Sequence, residues 1–422
     1  MRRDYDVVII GGGAAGLAAG CFIGLSGRRL KVAILEHSSR VGSKLLSTGN
    51  GRCNLSNESV TAGDYSGWSA GSKEEFAKAP LSAFTPGDAR DFFAGLGVPL
   101  TSKEGRLYPR ALQASGVLDA LRFCCVENNV EIITLANINN MAKREGAFEI
   151  KGDIGDEAAS ERLFVRAGRV ILATGGLAAP RTGSDGSGYA LAKGFGHSVT
   201  DTMPHLAPLK SNERFLTALS GVRTEAVLSL YAGDRHIADN SGELQFTKQG
   251  ISGIVSFELC AQAGYALKDN QKVTVYADLL PKEAADDLIS DIRHRKDIFG
   301  SRSCADMLLG IANKKIVTTL CKLSGVSAGK NAAEFTDEAI ISFTRLIKAL
   351  PIRISGISGY DDAQVTAGGI DTRDIDPHTM GSRLCPGLYF AGEIVDVTGR
   401  CGGYNLHWCW ASAFSAVKSL IL

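Results

Sequence analysis

The chain opens on a continuous apolar run, Val7-Val8-Ile9-Ile10, that stops at Gly11. Beyond Gly16 the pattern Leu17-Ala18-Ala19 continues to about Leu25, and Ser26-Gly27 follows as a stop signal, so a helix is predicted there. Leu30 to Glu36 is a second strand-like run. An apolar strand, a helix and another strand predict a βαβ unit in a parallel sheet covered on both faces. Residues 40–57 are polar, glycine-rich and aperiodic, which predicts a long functional loop. Helical patterns occupy 86–97 and 111–128. Three β-runs at 130–135, 148–151 and 162–165 then predict a meander, and a separate buried strand follows at 170–173, ending at Thr174-Gly175-Gly176. Tyr189 to Lys193 reads as a further helix.

The pattern changes near residue 200. Short strand-like runs at 225–231 and 273–277 alternate with turn clusters at 232–234 and 240–242. Residues 281–350 are mostly helical: Pro281 is placed in a first turn, ahead of the stripe Ala284, Ala285, Leu288, Ile289, Ile292. After 360 the earlier character returns, with a strand over 387–392 ending in glycine and a closing helix from Gly403. The expected division is a discontinuous domain of 1–200 and 361–422, and an inserted domain of 201–360. The insert would have a β part at about 201–280 and a helical part at about 281–350.

Composition adds one positive signal and several exclusions. Glycine is 49 of 422 residues, about 12% against roughly 7% in ordinary domains, while proline is scarce at 11. Eighteen of these glycines fall in six short segments (11–16, 42–51, 172–176, 183–188, 366–369 and 391–403), where close backbone approach to a ligand is expected. Lys and Arg total 46 and Asp and Glu 45, so no general attraction to nucleic acid or an anionic membrane is expected. No targeting segment or membrane span is read, and the ten cysteines form no C-x-x-C pair. A cytoplasmic protein with reduced thiols is the expectation. No metal site is expected, because no histidine pair has ligand spacing in a suitable context.

Gly11-Gly12-Gly13-Ala14-Ala15-Gly16 fits G-x-G-x-x-G between a strand and a helix, the context that makes the string a dinucleotide-binding fingerprint. Gly11 would serve the tight turn, Gly13 the approach of backbone to pyrophosphate and Gly16 the helix–strand packing. Ala14 and Ala15 would offer helix N-terminal N–H groups to the anion. Glu36, with His37 beside it, ends the next strand twenty positions after Gly16, where a carboxylate can accept from a ribose diol. The fold class is α/β: a Rossmann-type FAD/NAD(P)-binding domain with parallel sheet and β-meander, interrupted by an inserted domain that the family resemblance given next implies is β-barrel-like plus helical.

Ala173-Thr174-Gly175-Gly176 and Ala391-Gly392-Glu393 have the form of the second and third dinucleotide motifs of FAD proteins. The loop Lys44-Leu45-Leu46-Ser47-Thr48-Gly49-Asn50-Gly51-Arg52-Cys53-Asn54 resembles that of the BaiN-like flavoproteins, also described as the aminoacetone oxidase family of FAD-binding enzymes. Residues 242–247, 250–253, 363–369 and Gly402-Gly403-Tyr404-Asn405-Leu406 carry the same resemblance, which spans nearly the whole chain. It implies FAD as cofactor and a redox activity, with NAD(P)H as a candidate electron donor. Asn50 and Arg400-Cys401 depart from the family pattern.

On this resemblance, residues 44–54 would wrap the pyrophosphate and one edge of the flavin, and Gly402 to Leu406 would face its C2 carbonyl and N1. Glu393 would bond the ribitol, and the backbone of Ile138 would meet the adenine. The loop 182–188 reads either as a flavin border or as a turn into the next helix. Acid–base candidates are thin: Arg52, Tyr404, His407 and Arg400. The activity expected is hydride transfer through flavin N5, as an NAD(P)H-linked reduction of a small molecule with an activated C=C or enone. The alternatives are an oxygen-using amine oxidase of aminoacetone type, a flavin-dependent RNA-modifying or RNA-binding protein, and a non-catalytic flavin sensor. Substrate identity and oligomeric state are not legible.

Overall fold

A computed structural model describes residues 2–69, 73–156 and 160–422. The chain divides into two compact units, Met1–Pro204 with Gln364–Leu422, and His205–Ala363.

The first unit is built on a sheet whose centre is parallel. Strand β1 (Arg2–Ile10) leads into helix α1 (Ala14–Leu25) and strand β2 (Val32–Leu35). Helix α2 (Ala114–Glu127) precedes β3 (Val130–Ile133), β4 (Ala136–Arg144), β5 (Ala147–Ile154) and β6 (Glu161–Leu172). Late in the chain come β7 (Leu388–Phe390) and helix α3 (Tyr404–Ile421). The parallel order is β3-β2-β1-β6-β7. Val7 pairs with Val32 on one side and Arg169 on the other, and Ile10 with Leu35 and Leu172. Val7 to Ile10, Val32 to Leu35 and Val170 to Leu172 are all buried, as the central strands of a parallel sheet are. Connections leave β1 in opposite directions, so the carboxyl ends of β1 and β6 flank a topological switch point, where ligands of such sheets bind.

The meander takes a different form from the one read in the sequence. The runs at 162–165 and 170–173 are one twelve-residue strand, β6. Its first half pairs antiparallel with β5, while its length pairs parallel with β1. Gly168 does not break it, since the strand runs alongside the Asp6 carbonyl there and β1 pairs with the residues on both sides, Ala167 and Arg169. The loop at 40–57 contains a short helix, Ser43–Ser47, and a following turn over Thr48–Gly51.

The second unit carries an antiparallel sheet. Its central hairpin, Arg223–Ala232 with Arg235–Thr247, turns through Gly233-Asp234. The expected turn at 240–242 is instead strand interior: Asn240 faces Leu228 and Gly242 faces Ala226. Pairing across the hairpin outweighs the local turn preference of Asn-Ser-Gly. Val273–Asp278 and Leu350–Ile354 extend the sheet on one side, and Leu209–Lys210 and Gly356–Ile357 on the other. The two ends of this order are separated along the chain by Ser355 alone, so the pairings start and finish on one stretch of chain. Helices Ala285–Phe299, Lys314–Leu323 and Asp337–Lys348 belong to the same unit. Pro281 lies outside the first of them, in a turn before it, because Lys348 Nζ gathers the Leu280 and Glu283 carbonyls at 2.7 and 2.6 Å and holds that segment out of the helix.

Candidate cofactor and active site

The glycine fingerprint is sterically enforced. Gly11 has φ of +105°, and a β-carbon on it would strike the Ala173 carbonyl at the end of β6. One on Gly16 would strike the Gly11 carbonyl, so the helix can start this close to the strand only with glycine there. Gly13 differs: nothing lies within 4 Å of the place its β-carbon would take. It sits where α1 presents N–H groups that have no acceptor inside the helix. That open, electropositive position is what a pyrophosphate needs.

Glu36 is buried, and its carboxylate is already oriented. Gly12 N–H donates to Oε2 and Ser38 N–H to Oε1, both at 2.8 Å, and His37 Nδ1 lies 3.2 Å from Oε1. The remaining lone pairs can accept from a diol. Ile138 lies in β4 opposite Gly152 and is buried; two residues earlier Ala136 N–H donates to the Glu36 carbonyl at 2.9 Å. The loop at 182–188 packs Gly183 against His37 and Ser38 and then turns into the helix Ser187–Lys193.

The second and third motifs meet at Thr366. Its hydroxyl accepts from the Leu177 and Ala178 N–H groups at 2.7 and 2.9 Å, and its own N–H donates to Glu393 Oε1 at 2.9 Å. Glu393 Oε2 accepts from Lys44 Nζ at 2.7 Å. Lys44 and Glu393 therefore clamp the loop at 44–54 to the third motif, an internal use of both groups that the sequence reading missed. A β-carbon on Gly176 would press on Thr366 and Glu393, and one on Gly392 would lie 2.8 Å from Ala15, so the three motifs converge. Ala173 N–H donates to Ile10 O, which ties the second motif to β1. Thr174 Oγ1 is buried without a hydrogen-bond partner, and Gly175 packs its open face toward Ser184.

The loop from Leu45 onward bends sharply. The Thr48 hydroxyl donates to Leu45 O at 2.6 Å, and Gly49, Asn50, Gly51 and Cys53 all have positive φ. Asn50, the departure from the family's usual glycine, has φ of +56°, a conformation asparagine tolerates better than most residues. Cys53 is buried, and burial pushes its thiol up to about 12, so it packs as a protonated thiol. Arg52 is exposed. Asn54 is buried and its Oδ1 has no donor.

The last helix opens at Gly402-Gly403. Asn405 holds this turn, accepting from Gly399 N–H and donating to Gly399 O, both at 2.8 Å. A β-carbon on Gly403 would collide with the Ser56 carbonyl and lie 2.8 Å from Asn54 Oδ1. Tyr404 is buried, with its carbonyl accepting from Tyr65 Oη at 2.9 Å, and Leu406 is half-buried. Arg400 lies 3.6 Å from Asp64, with its side chain half exposed.

His407 is corrected from a catalytic candidate to a core residue. It is fully buried; Nε2 donates to Phe84 O at 3.1 Å, and Nδ1 then accepts from Ser56 Oγ at 2.9 Å. Both nitrogens are committed, and burial pushes its pKa down to about 4. Trp408 and Trp410 are likewise core, donating to Gly392 O and Leu55 O.

These features fit a flavin dinucleotide. The free N–H groups and open space at Gly13 suit its pyrophosphate, Glu36 its ribose, and the orphan acceptor Asn54 Oδ1 beside the glycine turn at 402–403 suits an imide edge that offers both donor and acceptors. Among the described residues no cluster of metal-ligating side chains occurs, and no helix is long and apolar enough to cross a membrane.

Comparison with known proteins agrees. Residues 5–419 match the HI0933-like protein Rossmann domain family, and the chain belongs to it. It is 37% identical to a 3-dehydro-bile acid delta(4,6)-reductase of Clostridium scindens, over 97% of this chain and 98% of that one. It is 30% identical to a ribosomal RNA dihydrouridine synthase of Escherichia coli, over 100% and 99%. Among solved structures, a 3-ketosteroid-delta4-(5alpha)-dehydrogenase from Rhodococcus jostii RHA1 shares the fold, with a TM-score of 0.50 at 15% identity, over 100% of this chain and 97% of that one. A quinol fumarate reductase chain of Escherichia coli shares it at a TM-score of 0.51 and 14% identity, over 100% and 70%. The chain is a flavin-dependent oxidoreductase of Rossmann type.

Proposed function

We propose that this enzyme binds FAD and reduces a carbon–carbon double bond conjugated to a carbonyl, with NAD(P)H as electron donor. The observation that carries this reading is the full-length similarity to two reductases whose named substrates share one chemistry. A 3-dehydro steroid with Δ4,6 unsaturation and a uracil ring each place the reducible C=C next to a carbonyl. An electron sink at the carbonyl oxygen is what allows hydride to attack such a bond.

The cofactor would be held by Gly11 to Gly16 and Glu36 at its nucleotide end, and by residues 48–54, Thr174 to Gly176 and 402–406 toward the ring. It supplies hydride at N5 when reduced. The chain supplies the rest. The N-terminus of α3 would direct N–H groups and a partial positive charge toward the ring edge that gains negative charge on reduction. The Lys44–Glu393–Thr366 clamp fixes the loop and the third motif relative to one another. His407, held neutral, keeps the first turn of α3 anchored to Phe84 and Ser56.

Anaerobic titration of the FAD-loaded protein with NADH and NADPH tests the donor. Bleaching of the flavin band by one of them is expected, and a protein that cannot be loaded with FAD would overturn the reading. The second named relative favours one variant of it, in which the conjugated ring is a uridine in ribosomal RNA. The near-zero net charge weighs toward a small free substrate. A gel shift with ribosomal RNA at moderate salt separates the two: no retardation is expected for the small-molecule enzyme.

A further inference from the structure

The strand Arg106–Pro109 runs beside both loops that face the ring end of the site. Leu107 and Pro109 are buried, while Arg106 and Tyr108 share the opposite, half-buried face. A β-carbon on Gly402 would lie 3.5 Å from Arg106 Nε, 3.8 Å from Asn57 Nδ2 and 3.8 Å from the Tyr404 ring edge; one on Gly49 would lie 3.8 Å from the Tyr108 ring edge. Arg106 therefore abuts the glycine turn of α3, and Tyr108 abuts the cofactor loop. The Asn57 amide donates to Gly402 O at 3.1 Å and pairs across the ladder with Arg106, which fixes the base of the arginine. Among the described residues the Arg106 guanidinium has no hydrogen-bond or ion-pair partner. A half-buried cation that cannot deprotonate is costly to leave unpaired, and a guanidinium binds anionic oxygen by short, charge-assisted bonds.

We propose that Arg106 binds the carbonyl oxygen of the substrate and stabilises the negative charge that develops there; this rests on the conjugated-reductase reading above. Hydride brings an electron pair to the β carbon and forms the new C–H bond. The C=C π pair moves between the α and carbonyl carbons, and the carbonyl π pair moves to oxygen, giving an enolate. The α carbon then takes a proton from water and the carbonyl reforms. The guanidinium gives up no proton; it supplies charge and fixed donors where the oxyanion appears, the role that commonly contributes most to such barriers.

The test uses the FAD-loaded full chain with two probes, 2-cyclohexenone as enone and 4-nitrophenolate as a stable enolate-like anion. In Arg106→Gln, bound FAD and the rate of flavin reduction should match wild type. Reoxidation of the photoreduced flavin by cyclohexenone should slow roughly 100-fold. Wild type should bind 4-nitrophenolate and lower the pKa of the bound dye, and Arg106→Gln should remove that shift while Arg106→Lys retains part of it. Unchanged reoxidation and dye binding in Arg106→Gln would overturn the assignment while leaving the proposed function standing. Loss of FAD in that variant would also overturn it, making Arg106 a cofactor ligand. Wild-type enzyme inert to the enone would overturn the proposed function and this inference with it.

Discussion

At the scale of single residues, Gly13 and Gly16 separate two reasons for a glycine. Gly13 has empty space at its β-carbon, so Gly13→Ala should fold with unchanged thermal stability and bind FAD at least about tenfold more weakly, a cost of about 1.4 kcal/mol. Gly16→Ala forces helix and strand apart and should lower stability itself, by about 2 kcal/mol. Thermal melts of apo-protein and FAD titration distinguish the two. The spacing of the fingerprint made both residues legible, because a βαβ unit needs its small residues at fixed offsets. The role of His407 was not legible: one turn into a helix opposite a cofactor, only its partners Ser56 and Phe84 reveal a committed neutral ring. Its pKa in the folded state, about 4, lies below the ordinary 6.5. The unfolded chain then binds the proton first as pH falls. The stabilisation is present above about pH 6.5 and is lost progressively toward pH 4, on the order of 3 kcal/mol in all. Buried His205, also pushed down to about 4, acts in the same sense. Urea midpoints measured from pH 7 to 4 should fall, and His407→Gln should flatten the slope.

At the scale of elements, the cofactor loops are held by each other as much as by the sheet. Thr366 accepts two backbone N–H groups of the second motif and donates its own N–H to the third, so Thr366→Val leaves Leu177 and Ala178 without an acceptor. Such buried orphans cost about 1–3 kcal/mol. Thr366→Val should therefore lower the melting temperature and loosen FAD, and Thr366→Ser should restore both. Sequence patterning located these motifs at strand ends but not their mutual contacts, since Lys44 and Glu393 are 349 positions apart. The same limit explains β6. Local runs at 162–165 and 170–173 read as two strands, whereas pairing with β1 continues on both sides of Gly168 and joins them into one. In the second unit, cross-strand pairing likewise carried Asn240 to Gly242 through what looked like a turn.

At the scale of the whole molecule, the glycine excess, the parallel sheet and the family membership all point to a dinucleotide-bearing redox enzyme. Strand–turn–helix spacing was legible because backbone geometry dictates it. The substrate was not, because Arg106 and Tyr108 lie in a short, unremarked strand and reach the site only through folding. Conjugation is the central chemical claim, and one anaerobic single-turnover measurement addresses it directly. Photoreduced enzyme is mixed with 2-cyclohexenone or with cyclohexene, and the flavin absorbance is followed. Return of the oxidised spectrum with the enone, one equivalent of saturated ketone and no reaction with the isolated alkene are expected. Inertness to the enone, together with rapid peroxide formation from aminoacetone in air, would contradict it.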